Sequence, residues 1–309
     1  LPGNARVVHH VIAFVDTRGA ARKLDAAEPT LGYTTQGGWP GFLPAGGMGG
    51  WAPGNVPTAL PPGTVRVLPA GADVVLQVHY HRSGKPEVDR TRIGLHFAKQ
   101  APQRAVQMIP VSLIGGPFSG LRIPAGAARH TERAEITVPK DFEALAITPH
   151  MHLLGREITL EAARPDGSRE RLLKVDDWDF NWQETYRYVD PVPLPAGTRL
   201  HLETTWDNSA ANRFNPSRPP RDVYWGEQTT DEMGIAFLEV APVRGVDDPA
   251  LVRAPTPAEQ LRFFLATQAD NRRAGRVPWR FEMVLKLVEA RLAAADRGLA
   301  PALDALPLP

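Results

Sequence analysis

Histidine and methionine are the donors this chain offers a transition metal, because it contains no cysteine. Five of its histidines group by spacing. His150 and His152 flank Met151, His9 and His10 are adjacent, and His79 lies in the run Val-Leu-Gln-Val-His-Tyr. Met233 follows the polar run Thr229-Thr230-Asp231-Glu232 and precedes the apolar run Ile235 to Val240. Two sets of three donors follow: His9, His10 and His79, and His150, His152 and Met233. Imidazole suits several transition metals, whereas a thioether points to copper, above all Cu(I). Two such sites on a chain without thiols suggest handling of electrons and dioxygen. The three-histidine set also suits zinc, which a type 2 copper paramagnetic resonance spectrum would distinguish.

Each grouping has a plainer alternative. On a strand, the His150-x-His152 spacing puts both imidazoles on one face, within reach of one ion. A polar strand face would look the same. Pro149 just before the pair fits an edge strand or a bulge. His9 and His10 face opposite sides of a regular strand. They can share an ion only if the backbone bends there or one binds through Nδ1; otherwise one is buried and one exposed. His79 shares a face with Val75, Gln77 and His81, which makes His81 a rival ligand. Methionine is commonly core filler, but Met233 stands where a strand begins. His96, His130 and His201 have no partner at chelating spacing and read as ordinary histidines.

These donors need a scaffold, and the composition suggests a β-rich one. A chain of 309 residues is long enough for two domains. The 35 basic and 34 acidic residues leave a formal charge of +1, which argues against an electrostatic nucleic-acid or membrane partner. No run of eighteen apolar residues is present to span a bilayer. No signal peptide is visible, and the start at Leu1-Pro2 reads as a processed or truncated piece of a longer product. Glycine and proline punctuate short apolar runs. Strands are expected at 7–14, 74–80, 105–111, 134–138, 145–148, 157–162, 170–175 and 199–206, with 37–63 a long loop. Pro165-Asp166-Gly167 and Asp207-Asn208 read as turns. Thr256-Pro257-Ala258-Glu259 reads as a capping box starting a helix to about Asp270, and a second helix is expected from Trp279 to Arg297. The expected fold is mainly β: two antiparallel, jelly-roll-like β-sandwich domains (1–103 and 104–245) and a C-terminal helical extension (246–309).

Four segments carry a resemblance: Val-Val-His-His-Val, Leu-Gln-Val-His-Tyr, His-Met-His-Leu-Leu-Gly and Thr-Thr-Asp-Glu-Met. In that order they resemble the copper-ligand segments of the copper type II, ascorbate-dependent monooxygenases, the family of the peptide-amidating and dopamine-hydroxylating enzymes. The resemblance covers about residues 1 to 240. It implies two β-sandwich domains with one copper each. His9, His10 and His79 would hold the electron-transfer copper, and His150, His152 and Met233 the copper that binds dioxygen. The adjacent pair would then both ligate, leaving His81 outside. Dioxygen, a one-electron reductant (ascorbate or a redox protein) and a small-molecule or peptide substrate are the implied partners. A periplasmic or secreted location in a bacterial branch is expected.

Departures narrow the chemistry. The peptide-amidating enzyme has a substrate-binding arginine two residues before the H-x-H pair; here the position holds Thr148. Its asparagine and tyrosine after the methionine ligand are Ile235 and Phe237 here. Peptide amidation is therefore not expected, and Ile235, Phe237 and Met151 are candidates to line the substrate side. The stretch Trp178 to Gln183 and the helices have no counterpart in the animal enzymes. The expected activity is hydroxylation of a C–H bond. The alternative is a non-catalytic copper-binding or electron-transfer protein on the same scaffold, and a third reading is an interaction module with vestigial histidines.

Overall fold

The computed structural model describes residues 2–35, 40–113, 118–243, 253 and 255–297. They form two compact units, one from the residues up to Gln107, the other from Met108 to Val243 together with the helices that follow Thr256. The expected boundary at 245/246 lies outside the described residues.

The first unit contains β1 (Val8–Asp16), α1 (Ala20–Ala27), β2 (Gly46–Trp51), β3 (Thr64–Val65), β4 (Asp73–Tyr80) and β5 (Arg104–Ala105). β1 is the middle strand of an antiparallel sheet ordered β2-β1-β4, and β3 pairs in parallel with β5. Val8, Val11, Ala13 and Val15 give β1 its buried side. β2 falls within the expected loop. Its glycines disguise it, yet Gly49 has φ 105°, and a Cβ at Gly50 would lie 3.1 Å from the Val11 carbonyl oxygen. Glycine is what lets this strand approach β1 closely.

The second unit is a sandwich. Its strands are β6 (Gln107–Ser112), β7 (Arg122–Ile123), β8 (His130–Thr137), β9 (Phe142–Met151), β10 (Gly155–Ala163), β11 (Arg169–Val175), β12 (Tyr186–Leu194), β13 (Arg199–Trp206), β14 (Val223–Tyr224) and β15 (Gly234–Pro242). Two four-stranded antiparallel sheets, β11-β10-β13-β8 and β12-β9-β15-β6, enclose one core. Ile158, Leu160, Leu200 and Leu202 from one sheet meet Ile147, Met151, Leu238 and Val240 from the other. Pro165-Asp166-Gly167 makes the β10–β11 hairpin, with Gly167 at φ 86°. β12 is not among the expected strands, and Pro191 and Pro193 lie within it. It is an edge strand, where a missing N–H is tolerated.

The C-terminal helices are α2 (Pro257–Thr267), α3 (Ala269–Arg273) and α4 (Trp279–Asp296). Thr256 and Glu259 form the expected capping box. The first expected helix is broken at Gln268 into α2 and α3. Both pack on β8: Asn271 Nδ2 donates to the Glu135 carbonyl at 2.6 Å, and the Thr137 hydroxyl donates to Asp270 at 2.5 Å. The architecture is mainly β and antiparallel with a short helical region at its C-terminal end. No described helix is long and apolar enough to cross a membrane.

Gly155, at the start of β10, sits where a side chain has no room. A Cβ there would lie 2.6 Å from Trp178 Cδ1 and 2.9 Å from Met151 Cβ. Such overpacking costs about 1–3 kcal/mol. Gly155→Ala is expected to lower the urea midpoint of this unit and to shift the Trp178 fluorescence. An unchanged midpoint would show that the contact yields freely.

Candidate metal centre

β9 carries His150 near its end, and His152 follows the strand. Strand alternation sends Thr148, His150 and His152 to one face and Met151 to the other. Met151 is fully buried in the sandwich core, so the expectation that it lines the substrate side is wrong: a residue between two same-face histidines points the opposite way. Antiparallel pairing sets His150 opposite Ile235, Thr148 opposite Phe237 and Met151 opposite Gly234. Continuing that register brings Met233 opposite His152. The ladder therefore assigns His150, His152, Met233, Ile235 and Phe237 to a common face. The His150 and His152 rings are edge to face at 5.1 Å, and Phe237 lies 6.5 Å from His150.

Both imidazoles are oriented through Nδ1. His150 Nδ1 is 2.7 Å from Gln183 Oε1, and Gln183 Nε2 donates to the Phe180 carbonyl at 2.8 Å. With its amide nitrogen committed to a carbonyl, Gln183 presents its oxygen to His150, which must then be the donor. His152 Nδ1 is 3.1 Å from the Asp231 carbonyl oxygen, which can only accept. In neutral rings this leaves the Nε2 lone pairs as metal donors. Two imidazole Nε2 donors and a thioether on one face fit copper.

Glu232, fully buried beside Met233, holds this arrangement. Its carboxylate accepts from the backbone N–H of His152 (3.0 Å), Leu154 (2.6 Å) and Met233 (3.3 Å), and from Trp206 Nε1 (2.9 Å). Burial pushes its carboxyl up to about 8, against the four N–H donors, which favour the ionised form. Trp178 Nε1 donates to the His152 carbonyl at 3.1 Å, and Phe180 meets the His152 ring edge to face at 6.1 Å. Sequence reading missed Gln183 and Glu232 as site residues. The signal available for Glu232 was its place inside Thr-Thr-Asp-Glu-Met; Gln183 gave none beyond the unmatched stretch that ends with it.

In the first unit the adjacency of His9 and His10 is resolved by a β-bulge. Val8 pairs with Tyr80 and His10 with His79, so His9 is an extra residue on β1. His9 Nδ1 and His10 Nδ1 approach to 2.9 Å. Two nitrogens each about 2.0–2.1 Å from one ion stand about 2.9 Å apart at a right angle and about 3.3–3.4 Å at the tetrahedral angle, so the pair, here at hydrogen-bonding distance from each other, is close enough to share an ion. His79 instead lies against His10 with ring centroids 3.9 Å apart, tilted by 31°. The three histidines of the expected set thus lie side by side. Among the described residues no three His, Cys, Asp or Glu side chains are arranged as a ready metal group. Burial, then repulsion from His81, holds the His9 imidazole below its ordinary range. His81 itself is exposed, one residue beyond β4.

Residues 127–243 match the copper type II ascorbate-dependent monooxygenase C-terminal domain. The resemblance to that family is thus shown on the segment that carries His150, His152 and Met233. The family is one of copper-dependent monooxygenases, and it implies dioxygen and ascorbate as partners. No curated protein matches the chain. Among solved structures, that of infectious bursal disease virus Gt strain is 10% identical, with a TM-score of 0.26, covering 82% of this chain and 55% of that one. The infectious bursal disease virus VP2 subviral particle is 12% identical, with a TM-score of 0.24, covering 80% of this chain and 55% of that one. The chain therefore spans about half the length of these structures, and likeness at such scores carries no argument.

Removing the Glu232 carboxylate from the second unit would strand four N–H donors. At roughly 1–3 kcal/mol for each buried donor left unpaired, Glu232→Ala is expected to cost more than about 3 kcal/mol in urea unfolding. Glu232→Gln retains one acceptor oxygen and should cost less. Wild-type stability in Glu232→Ala would show that this carboxylate does not clamp the site.

Proposed function

We propose that this protein is a dicopper monooxygenase that hydroxylates a C–H bond, using dioxygen and an external one-electron reductant such as ascorbate. The observation that carries the reading is the pair His150 and His152, each with Nδ1 tied to a carbonyl-type oxygen, sharing a face with Met233 inside the family-matched segment. Bound copper supplies one-electron chemistry for activating dioxygen. His150, His152 and Met233 would hold the copper on the dioxygen side, the thioether favouring Cu(I). His9, His10 and His79 would hold a second copper, whose chemistry there would be one-electron transfer.

The residues around His150 bear on the substrate. Ile235 and Phe237 flank it as half-buried apolar side chains, and Thr148 is engaged by Thr185, their hydroxyl oxygens 2.7 Å apart. None of the three offers a carboxylate a cation to offset its desolvation. This supports a substrate less anionic than a peptide C-terminus and disfavours peptide amidation.

Metal analysis and oxygen uptake test the reading. The wild type is expected to bind two coppers per chain and to consume dioxygen with ascorbate faster than free copper does. Met233→Ala should keep the three-histidine copper and lose most of that uptake. Two bound coppers without reductant-coupled uptake would instead support a copper-binding or electron-transfer protein.

A further inference from the structure

We infer that Gln183 is a positioning residue for the candidate oxygen-site copper: it fixes the tautomer of His150 and thereby keeps the His150 Nε2 lone pair available to the ion. The inference rests on the proposed copper site. It goes beyond it in assigning a role to a segment, Trp178 to Gln183, that has no place in the family resemblance.

The geometry is one-directional. Gln183 is anchored by its own Nε2, donating to Phe180 O at 2.8 Å, so its Oε1 faces His150 Nδ1 at 2.7 Å. The proton of a neutral His150 must then reside on Nδ1. His152 obtains the same result from a backbone acceptor, Asp231 O at 3.1 Å, which no side-chain substitution removes. The two histidines therefore differ: the orientation of one belongs to the fold, that of the other to a single replaceable amide.

That amide is itself braced. Trp178 Nε1 donates to the His152 carbonyl, Phe180 packs on the His152 ring, and the Thr185 hydroxyl meets the Thr148 hydroxyl. The chain from Trp178 to Thr185 therefore touches Thr148 and His152, on either side of the contact between Gln183 and His150. Outer partners of metal-bound histidines fix ring orientation and ligand basicity, and their loss typically lowers metal affinity about 10–100-fold.

Two variants and two readouts test the role on the whole chain. Gln183→Leu keeps bulk and removes the acceptor. Gln183→Glu keeps an acceptor oxygen for His150 while giving up the donation to Phe180. Nitrogen-15 NMR of the copper-free protein reads the His150 tautomer directly. Cu(I) titration against a competing chelator reads affinity, with the three-histidine site as internal control. Gln183→Leu is expected to populate both tautomers and to bind Cu(I) about 10–100-fold more weakly at the His150 site alone. Gln183→Glu should retain the Nδ1–H tautomer and near wild-type or tighter binding. An unchanged tautomer in Gln183→Leu overturns the inference, as does equal loss of affinity in both variants, which would mean the residue only packs. If the wild type binds no copper at this site, the proposed function fails, and the tautomer measurement still decides the role of Gln183.

Discussion

A buried carboxylate surrounded by N–H groups is the constraint on which the second unit's site depends. Where β9 leaves the sheet, the N–H groups of His152 and Leu154 lose their ladder partners, and Met233 enters from the other direction. Unpaired, these donors would each cost about 1–3 kcal/mol. Glu232 accepts from all three and from Trp206 as well. One residue thus joins the end of β9, the start of β15 and the opposite sheet. Its charge would be costly in the interior without those donors, and the donors would be costly without it. Because His152 and Met233 bond to the same oxygen, Oε2, their backbones cannot move apart independently.

The two candidate centres solve the placement of paired histidines differently. In the second unit, strand periodicity alone puts His150 and His152 on one face, and hydrogen bonds at Nδ1 set the rings. In the first unit periodicity works against His9 and His10, and a bulge at His9 brings their Nδ1 atoms to 2.9 Å. There Nδ1 is the approaching nitrogen rather than the anchor. One set of rings is thus held by partners outside the donor set. The other is packed ring on ring, His10 against His79.

Much of this was legible in the chain because it followed local rules. The H-x-H spacing needs only the period of a strand, the need for a bend at His9-His10 follows from the same period, and the capping box at Thr256 and the Gly167 hairpin are short-range signatures. What escaped was non-local or counter to propensity. β2 is rich in glycine and β12 contains two prolines, so neither resembles a strand until a neighbour is present. Glu232 reads as a surface acid, and only the convergence of four donors explains its burial. Gln183 is 33 residues from its partner His150, a separation at which sequence carries no sign of contact. Met151 was misassigned by proximity in sequence, where alternation should have sent it to the core.

The position of the site on β9 has a physical reason. β12 pairs with β9 only from Phe142 to Ile147, where Tyr186 begins the ladder. Beyond that point β12 leaves β9 unpaired on that side, through the stretch that contains Pro149, while β15 continues to pair as far as Met151. An edge left open inside a sheet invites unwanted pairing unless it is covered. Here the segment from Trp178 to Thr185 covers it, and does so with side chains. A backbone ladder lies in the plane of the sheet and cannot reach an imidazole that rises from it. Side chains such as Gln183 and Phe180 can, at the height of the rings. Ending the β12 ladder at Ile147 is therefore what makes room for partners to the two histidines. Pro149 stands in the stretch that β12 leaves open, held to the sheet through β15 alone.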